Sequence, residues 1–229
     1  MDVVFRRAGV LRYAAIQFLV LVAAAMAVYG GGNPWDPGAS RYELTNNFLS
    51  DLGMTRAWSG RASYASSALF FVALATVGVG LILFASTWRR FAHTRGRATF
   101  AGRASAALGT ATGLAFVGVA CTPFDLALVW HNAFVLAAFG MLLGYVISLA
   151  IVMARNGASA VQNALNVVYV VLVLGYVALI FFGPRLTSPR GHQIQVIGQK
   201  IIVVGSMLHV ICLTTLLRRT TGRGAGAGA

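Results

Sequence analysis

The chain has 229 residues, of which 58% are hydrophobic and 10% charged, and its mean hydropathy is +0.77. Those values exclude an ordinary soluble domain, which could not hide so much apolar surface, and place the chain in the membrane class. The net charge of +13 does not indicate a nucleic-acid partner, because the cations sit at the ends of apolar runs, where they meet lipid headgroups, and not along one groove or helix.

Crossing a hydrocarbon core of about 30 Å takes roughly 20 mostly apolar residues. Six stretches meet that demand: Tyr13–Tyr29, Ser63–Phe84, Ala104–Cys121, His131–Met153, Ala164–Phe182 and Val196–Leu217. The spacing predicts an all-α polytopic membrane protein, a six-transmembrane-helix bundle forming a single domain over 13–217. A cytoplasmic N-terminus (1–12) precedes it, and a flexible Gly/Ala-rich cytoplasmic tail (218–229) follows. Arg6, Arg7 and Arg12 ahead of the first run resemble a signal peptide, but the run is long and ends on Tyr29-Gly30-Gly31 without a convincing small-residue cleavage site. The expectation is an uncleaved first span.

The first connection, residues 30–62, is too long to be a mere turn between neighbouring spans. Gly30-Gly31-Gly32-Asn33-Pro34 breaks the preceding helix. Ser40-Arg41-Tyr42-Glu43 fits a capping box, predicting a short helix from about Arg41 to Leu49. Asn46-Asn47-Phe48-Leu49-Ser50-Asp51 follows. In the third and fourth spans, Gly109–Gly113 and Gly140–Gly144 are small-xxx-small pairs that let helix backbones approach. Gly78-Val79-Gly80 is a weak interruption of the second. Between spans three and four, Cys121-Thr122-Pro123-Phe124-Asp125 leads tightly into His131. Cys121 and Cys212 lie near opposite ends of their runs, too far apart for a disulfide.

The sixth span is the most informative. His192, Gln195, Gln199, Ser206 and His209 recur at helical spacing and so share a face, and Lys200 flanks it. An ionisable residue within a span faces protein or water and marks a candidate functional site, though Lys200 is near enough to an end to snorkel to headgroups. Asn166, Tyr169 and Tyr176 give the fifth span a matching polar face, which predicts a polar seam between the last two helices.

Orientation follows from the Arg bias of the connections. Arg6, Arg7, Arg12, Arg89, Arg90, Arg95, Arg97, Arg103, Arg155, Arg218, Arg219 and Arg223, twelve in all, fall on one side; Arg41, Arg56, Arg61, Arg185 and Arg190 fall on the other. The richer side is expected to be cytoplasmic, with both termini inside, in a cell-membrane protein. Asp36, Glu43, Asp51 and Asp125 all lie on the outer side, where Asp51, Asp125, His131, His192 and Lys200 are expected at similar depth, with Asp51 and His131 closest together.

No Gly-x-Ser-x-Gly, His-Glu-x-x-His, Walker lysine loop or dinucleotide fingerprint occurs. The six-span layout, Asn47-Phe48-Leu49-Ser50-Asp51-Leu52-Gly53 and the Pro123-to-His131 segment resemble the bacterial and archaeal membrane family called domain of unknown function 998. That family is itself similar to a eukaryotic six-span group that includes DRAM, some of whose members are linked to lipid handling. The resemblance covers about Tyr13 to Leu217 and implies a lipid-related role, with no mechanism to transfer.

The leading expectation is a protein that binds or remodels an amphiphile in an outward-facing polar pocket, with Ser50, Asp125, Gln199 and Lys200 as substrate-binding candidates. The alternative is a membrane-embedded hydrolase with Asp51, His131 and His192 around a water, with or without zinc. A small transporter, which would want discontinuous spans and midplane charges, is a third reading. Cofactor and oligomeric state are open, and the partner is membrane lipid or a lipid-like substrate.

Overall fold

The computed structural model describes residues 2–94 and 100–225; Arg95 and Arg97 of the basic connection and residues 226–229 of the expected tail lie outside the described residues. Six helices are present: α1 (Asp2–Ala27), α2 (Tyr64–Thr94), α3 (Phe100–Cys121), α4 (Leu128–Arg155), α5 (Ala160–Phe182) and α6 (Pro189–Ala225). Each is long and apolar enough to cross a membrane. The described residues contain no strand, only an isolated bridge between Arg56 and Ala62. The chain is a multi-pass integral membrane protein.

Each helix packs on the next in sequence, and α6 returns to α1, which closes the bundle into a ring. The helices alternate in direction, so both termini share one end, the terminus end. The first loop shares the other, the loop end, with the α3–α4 and α5–α6 connections. Exposed Val168, Val171, Trp130 and Phe182 present the apolar exterior expected of lipid-facing surface.

Local chemistry explains helix ends that lie beyond the sequence-based spans. Helix α5 starts on a capping box: the Gln162 amide donates to Ser159 Oγ (3.3 Å) and the Ser159 amide to Gln162 Oε1 (2.9 Å). Helix α6 begins at Pro189, well before Val196, because proline suits the first helical turn and Ser188 Oγ accepts the Gly191 amide at 3.1 Å. His192 and Gln195 are therefore helical.

The α2–α3 crossing is fixed by glycines. A Cβ on Gly78 would lie 2.7 Å from the Gly113 carbonyl, and one on Gly113 would lie 2.6 Å from the Gly78 carbonyl. Gly78 thus serves packing, and α2 runs unbroken through it. Gly109 similarly admits Ala85 and Tyr145, whereas a Cβ on Gly140 would meet nothing within 4 Å.

The first loop departs from the expected short helix over Arg41 to Leu49. Residues 41–48 form turns, and the helical element is a 3₁₀ turn at Leu49–Gly53. Glu43 does not complete the capping box. Its Oε2 instead accepts from Asn33 Nδ2 and Asn46 Nδ2 (2.8 Å each), while Asn47 Oδ1 accepts the Glu43 amide at 3.0 Å. Side chains able to bond the backbone locally have outcompeted the helix. Gly31 and Gly32, at φ of 91° and 80°, thread the chain between Ala39 and Ser59, where a Cβ would collide with backbone. Leu49 and Leu52 then insert among Phe18, Val22, Tyr29 and Phe70. The 3₁₀ turn is a plug in the loop end of the ring, and each leucine contributes about 1.5–3 kcal/mol by burial.

Candidate functional site

The expected site residues fall into two groups, both of which hold the first loop to the bundle. On one side, α6 presents His192, Gln193, Gln199 and Lys200, two pairs seven residues apart and so on one helical face. His192 Nε2 donates to the Asn46 carbonyl (2.8 Å) and Gln193 Nε2 to Asn46 Oδ1 (3.0 Å). Gln199 Oε1 accepts the Leu49 amide (2.7 Å), and Lys200 Nζ donates to the Asn47 carbonyl, which also accepts from Tyr42 Oη (3.0 Å). The ammonium lies 5.5 Å from the centre of the Tyr42 ring, a cation–π distance. His192 is bracketed by the rings of Phe48 and Trp35 at 5.1 and 6.2 Å. Lys200 is thus bonded inside the protein and does not snorkel.

Asp51 lies behind these contacts, 1% exposed. Its Oδ2 accepts from Asn47 Nδ2 (3.0 Å) and the Phe48 amide (3.1 Å). Burial pushes its pKa up, Asn47, Trp58, the Phe48 amide and the Lys200 charge pull it back, and the net result is about 6. Burial and the nearby Asp51 also raise the Tyr29 and Tyr42 phenols. Ser50 sits half-buried in the same 3₁₀ turn.

On the other side, Asp125 of the α3–α4 connection grips the stretch after the plug. Its carboxylate accepts from Thr55 Oγ1 (2.6 Å), the Thr55 amide (3.1 Å) and the Arg56 amide (3.0 Å). Partial burial pushes its pKa up, but these hydrogen bonds outweigh that and hold it below the usual carboxylate value. His131 Nδ1 donates to the Thr122 carbonyl (2.6 Å) and closes the same connection, leaving a buried, unpartnered Nε2. Phe124 meets His131 edge-on at 5.8 Å and Trp58 at 6.1 Å.

Asp51 and His131 thus have different hydrogen-bond partners, with Trp58 and Phe124 along the route between them. Among the described residues, no group of three His, Cys, Asp or Glu side chains is placed to hold a metal. The α6 stripe is also divided. Gln195 turns to the end of α5, donating to the carbonyls of Leu179 (2.8 Å) and Pro184 (3.3 Å). Ser206 and His209 form the expected seam with α5: Tyr169 Oη donates to Ser206 Oγ (2.8 Å), and His209 Nε2 donates to Asn166 Oδ1 (3.0 Å). Tyr176 instead packs on Phe139 at 4.7 Å.

That seam opens onto a feature that sequence reasoning missed, an apolar cavity of about 80 Å³ to which all six helices contribute. Phe18, Leu74, Phe116, Phe139, Tyr169 and Met207 are among its walls, and its only polar side chains are Tyr145, Tyr169, Ser206, His209 and Thr214. It lies between the plug and the terminus end. No periodicity signals it, because lining a void and packing a core demand the same apolar residues.

Comparison with known proteins finds no matching family model, curated protein or solved structure.

Proposed function

We propose that this protein handles lipid by holding the hydrocarbon part of a membrane amphiphile inside its ring of helices. The observation that carries the reading is the apolar cavity bounded by all six helices. A void lined by Leu, Phe and Val stays dry and binds apolar guests, and about 150 Å³ suffices for a benzene. At about 80 Å³, the cavity accepts the end of a chain. Deeper access requires movement of its walls, to which the adaptable Met207 is suited. The plug covers the loop end, and a guest dissolved in the bilayer approaches laterally, between helices. The resemblance to the domain of unknown function 998 family supports the same lipid-related reading.

In this proposal Asp51, His192, Gln199 and Lys200 are positioning residues. Their hydrogen bonds hold the plug at the loop end of the ring. The Arg asymmetry supports placing both termini in the cytoplasm, with the plug on the outer face of the cell membrane.

Native mass spectrometry of gently extracted protein tests the reading. The wild type is expected to retain lipid, and Val203→Phe and Leu142→Phe, which fill the cavity from different helices, are expected to lose it while remaining folded. Equal retention by wild type and both folded variants would contradict it.

A further inference from the structure

The polar corner of the cavity has a directional hydrogen-bond inventory. Asn166 Nδ2 donates to Met153 Sδ at 3.3 Å; a thioether only accepts, so the amide nitrogen faces the sulfur and Oδ1 faces His209. That oxygen can only accept, so Nε2 of His209 carries the proton. Nδ1 is then an unprotonated acceptor, with no protein partner among the described residues. The imidazole is fixed as well as buried, since Tyr169 stacks on it at 4.1 Å and 18° and His209 is 8% exposed.

The other hydroxyls at the cavity have already used their protons. Tyr169 donates to Ser206, Ser206 to the Ile202 carbonyl (2.7 Å) and Thr214 to the Val210 carbonyl (2.6 Å). The hydroxyl of Tyr145 is sealed away from the cavity. His209 is among the lining residues, and the polar capacity this leaves at the cavity is that of an acceptor, chiefly His209 Nδ1. No Lys, Arg, Asp or Glu lines it, so a charged head would enter without a counter-charge in a low-dielectric site, at prohibitive cost.

We infer that the cavity selects an uncharged amphiphile bearing an O–H donor, a long-chain alcohol whose hydroxyl end enters and donates to His209 Nδ1. This rests on the reading of the cavity as a hydrocarbon site and names the head group that site accepts. A phospholipid or fatty acid would be refused at this corner, and an ether or ester of matched length would enter without the hydrogen bond.

The experiment compares dodecan-1-ol, its chain-matched methyl ether and dodecyl phosphate as probes. Binding is measured on full-length protein in nanodiscs, with empty nanodiscs as the partition control. The alcohol is expected to bind about tenfold more tightly than the ether, the effect of one buried hydrogen bond, and the phosphate is expected not to compete. His209→Phe keeps the ring stack and should erase the alcohol's advantage while leaving ether binding unchanged. If that variant does not fold, ¹⁵N-histidine spectra of the wild type, which has four histidines, replace it: the alcohol but not the ether should shift the His209 Nδ1 resonance. Equal binding of alcohol and ether, both abolished by Val203→Phe, would overturn the head-group assignment and leave the hydrocarbon site standing. Binding of none of the three, or binding that Val203→Phe leaves untouched, would overturn both. Phosphate binding as tight as the alcohol's would overturn the uncharged class.

Discussion

Asp51 is a carboxyl held well away from its ordinary state. Its pKa has an ordinary value of 3.8 and is raised to about 6 where the carboxyl is buried within the plug. The folded state therefore holds more protons than the unfolded one between those values, and the Asp51 contribution makes stability fall as pH rises through that window. The change is on the order of 3 kcal/mol across the window. Thermal unfolding in detergent is expected to show wild type gaining stability from pH 7 to about 4.5 relative to Asp51→Asn, whose neutral side chain cannot titrate. Parallel pH profiles for the two proteins would count against this assignment. Lys200→Met should be worse at neutral pH, because it strips a donor from the Asn47 carbonyl and the nearest cation from Asp51. A cost of roughly 2–4 kcal/mol is expected, read as a lower melting temperature. Sequence reasoning could single out Asp51 and Lys200 because charges near spans are rare. It could not tell that Lys200 would donate to the Asn47 carbonyl or that Asp51 would accept from Asn47 Nδ2 and the Phe48 amide, because the folded loop alone brings those groups within reach.

Among the elements, the first loop and the α2–α3 pair make separable demands. Asp125 holds Thr55 and Arg56 through side-chain and backbone hydrogen bonds. Asp125→Ala is therefore expected to speed amide exchange over residues 54–58 while leaving the helices protected, whereas unchanged exchange there would remove Asp125 from the account. Gly113→Leu should prevent assembly outright, since even a Cβ meets the Gly78 carbonyl at 2.6 Å; recovery of a folded monomer with wild-type melting behaviour would refute the crossing. The Gly109-to-Gly113 spacing forecast such a contact. The helix over residues 41–49 was misread because Ser40 and Glu43 have the right spacing for a capping box, but Asn33, Asn46 and Asn47 compete for the same groups. Two of those competitors follow the box and one precedes it, so only the folded loop reveals the contest.

The whole molecule is a ring of six helices with a plug at one end and an apolar cavity inside. Six spans were legible because crossing a bilayer imposes a length and an apolar composition that local sequence must display. Ring closure through α1 and α6 was not, since it joins the two ends of the chain. Reporter fusions in the α4–α5 turn at Gly157 and in the α5–α6 turn at Pro184 should report opposite sides, with Gly157 cytoplasmic; both on one side would break the topology. The most direct measurement of the central claim is photolabelling in the membrane with a long-chain alcohol that carries a diazirine near its hydroxyl end, followed by mapping of the adducts. Labelling is expected on the cavity-lining side chains Val203, Met207 and Val210 of α6, in addition to the outward-facing Val168 and Val171. Cavity labelling should be lost in Leu142→Phe while outward labelling persists. Adducts confined to outward-facing residues in the wild type would show that no chain enters the ring, and would contradict the account.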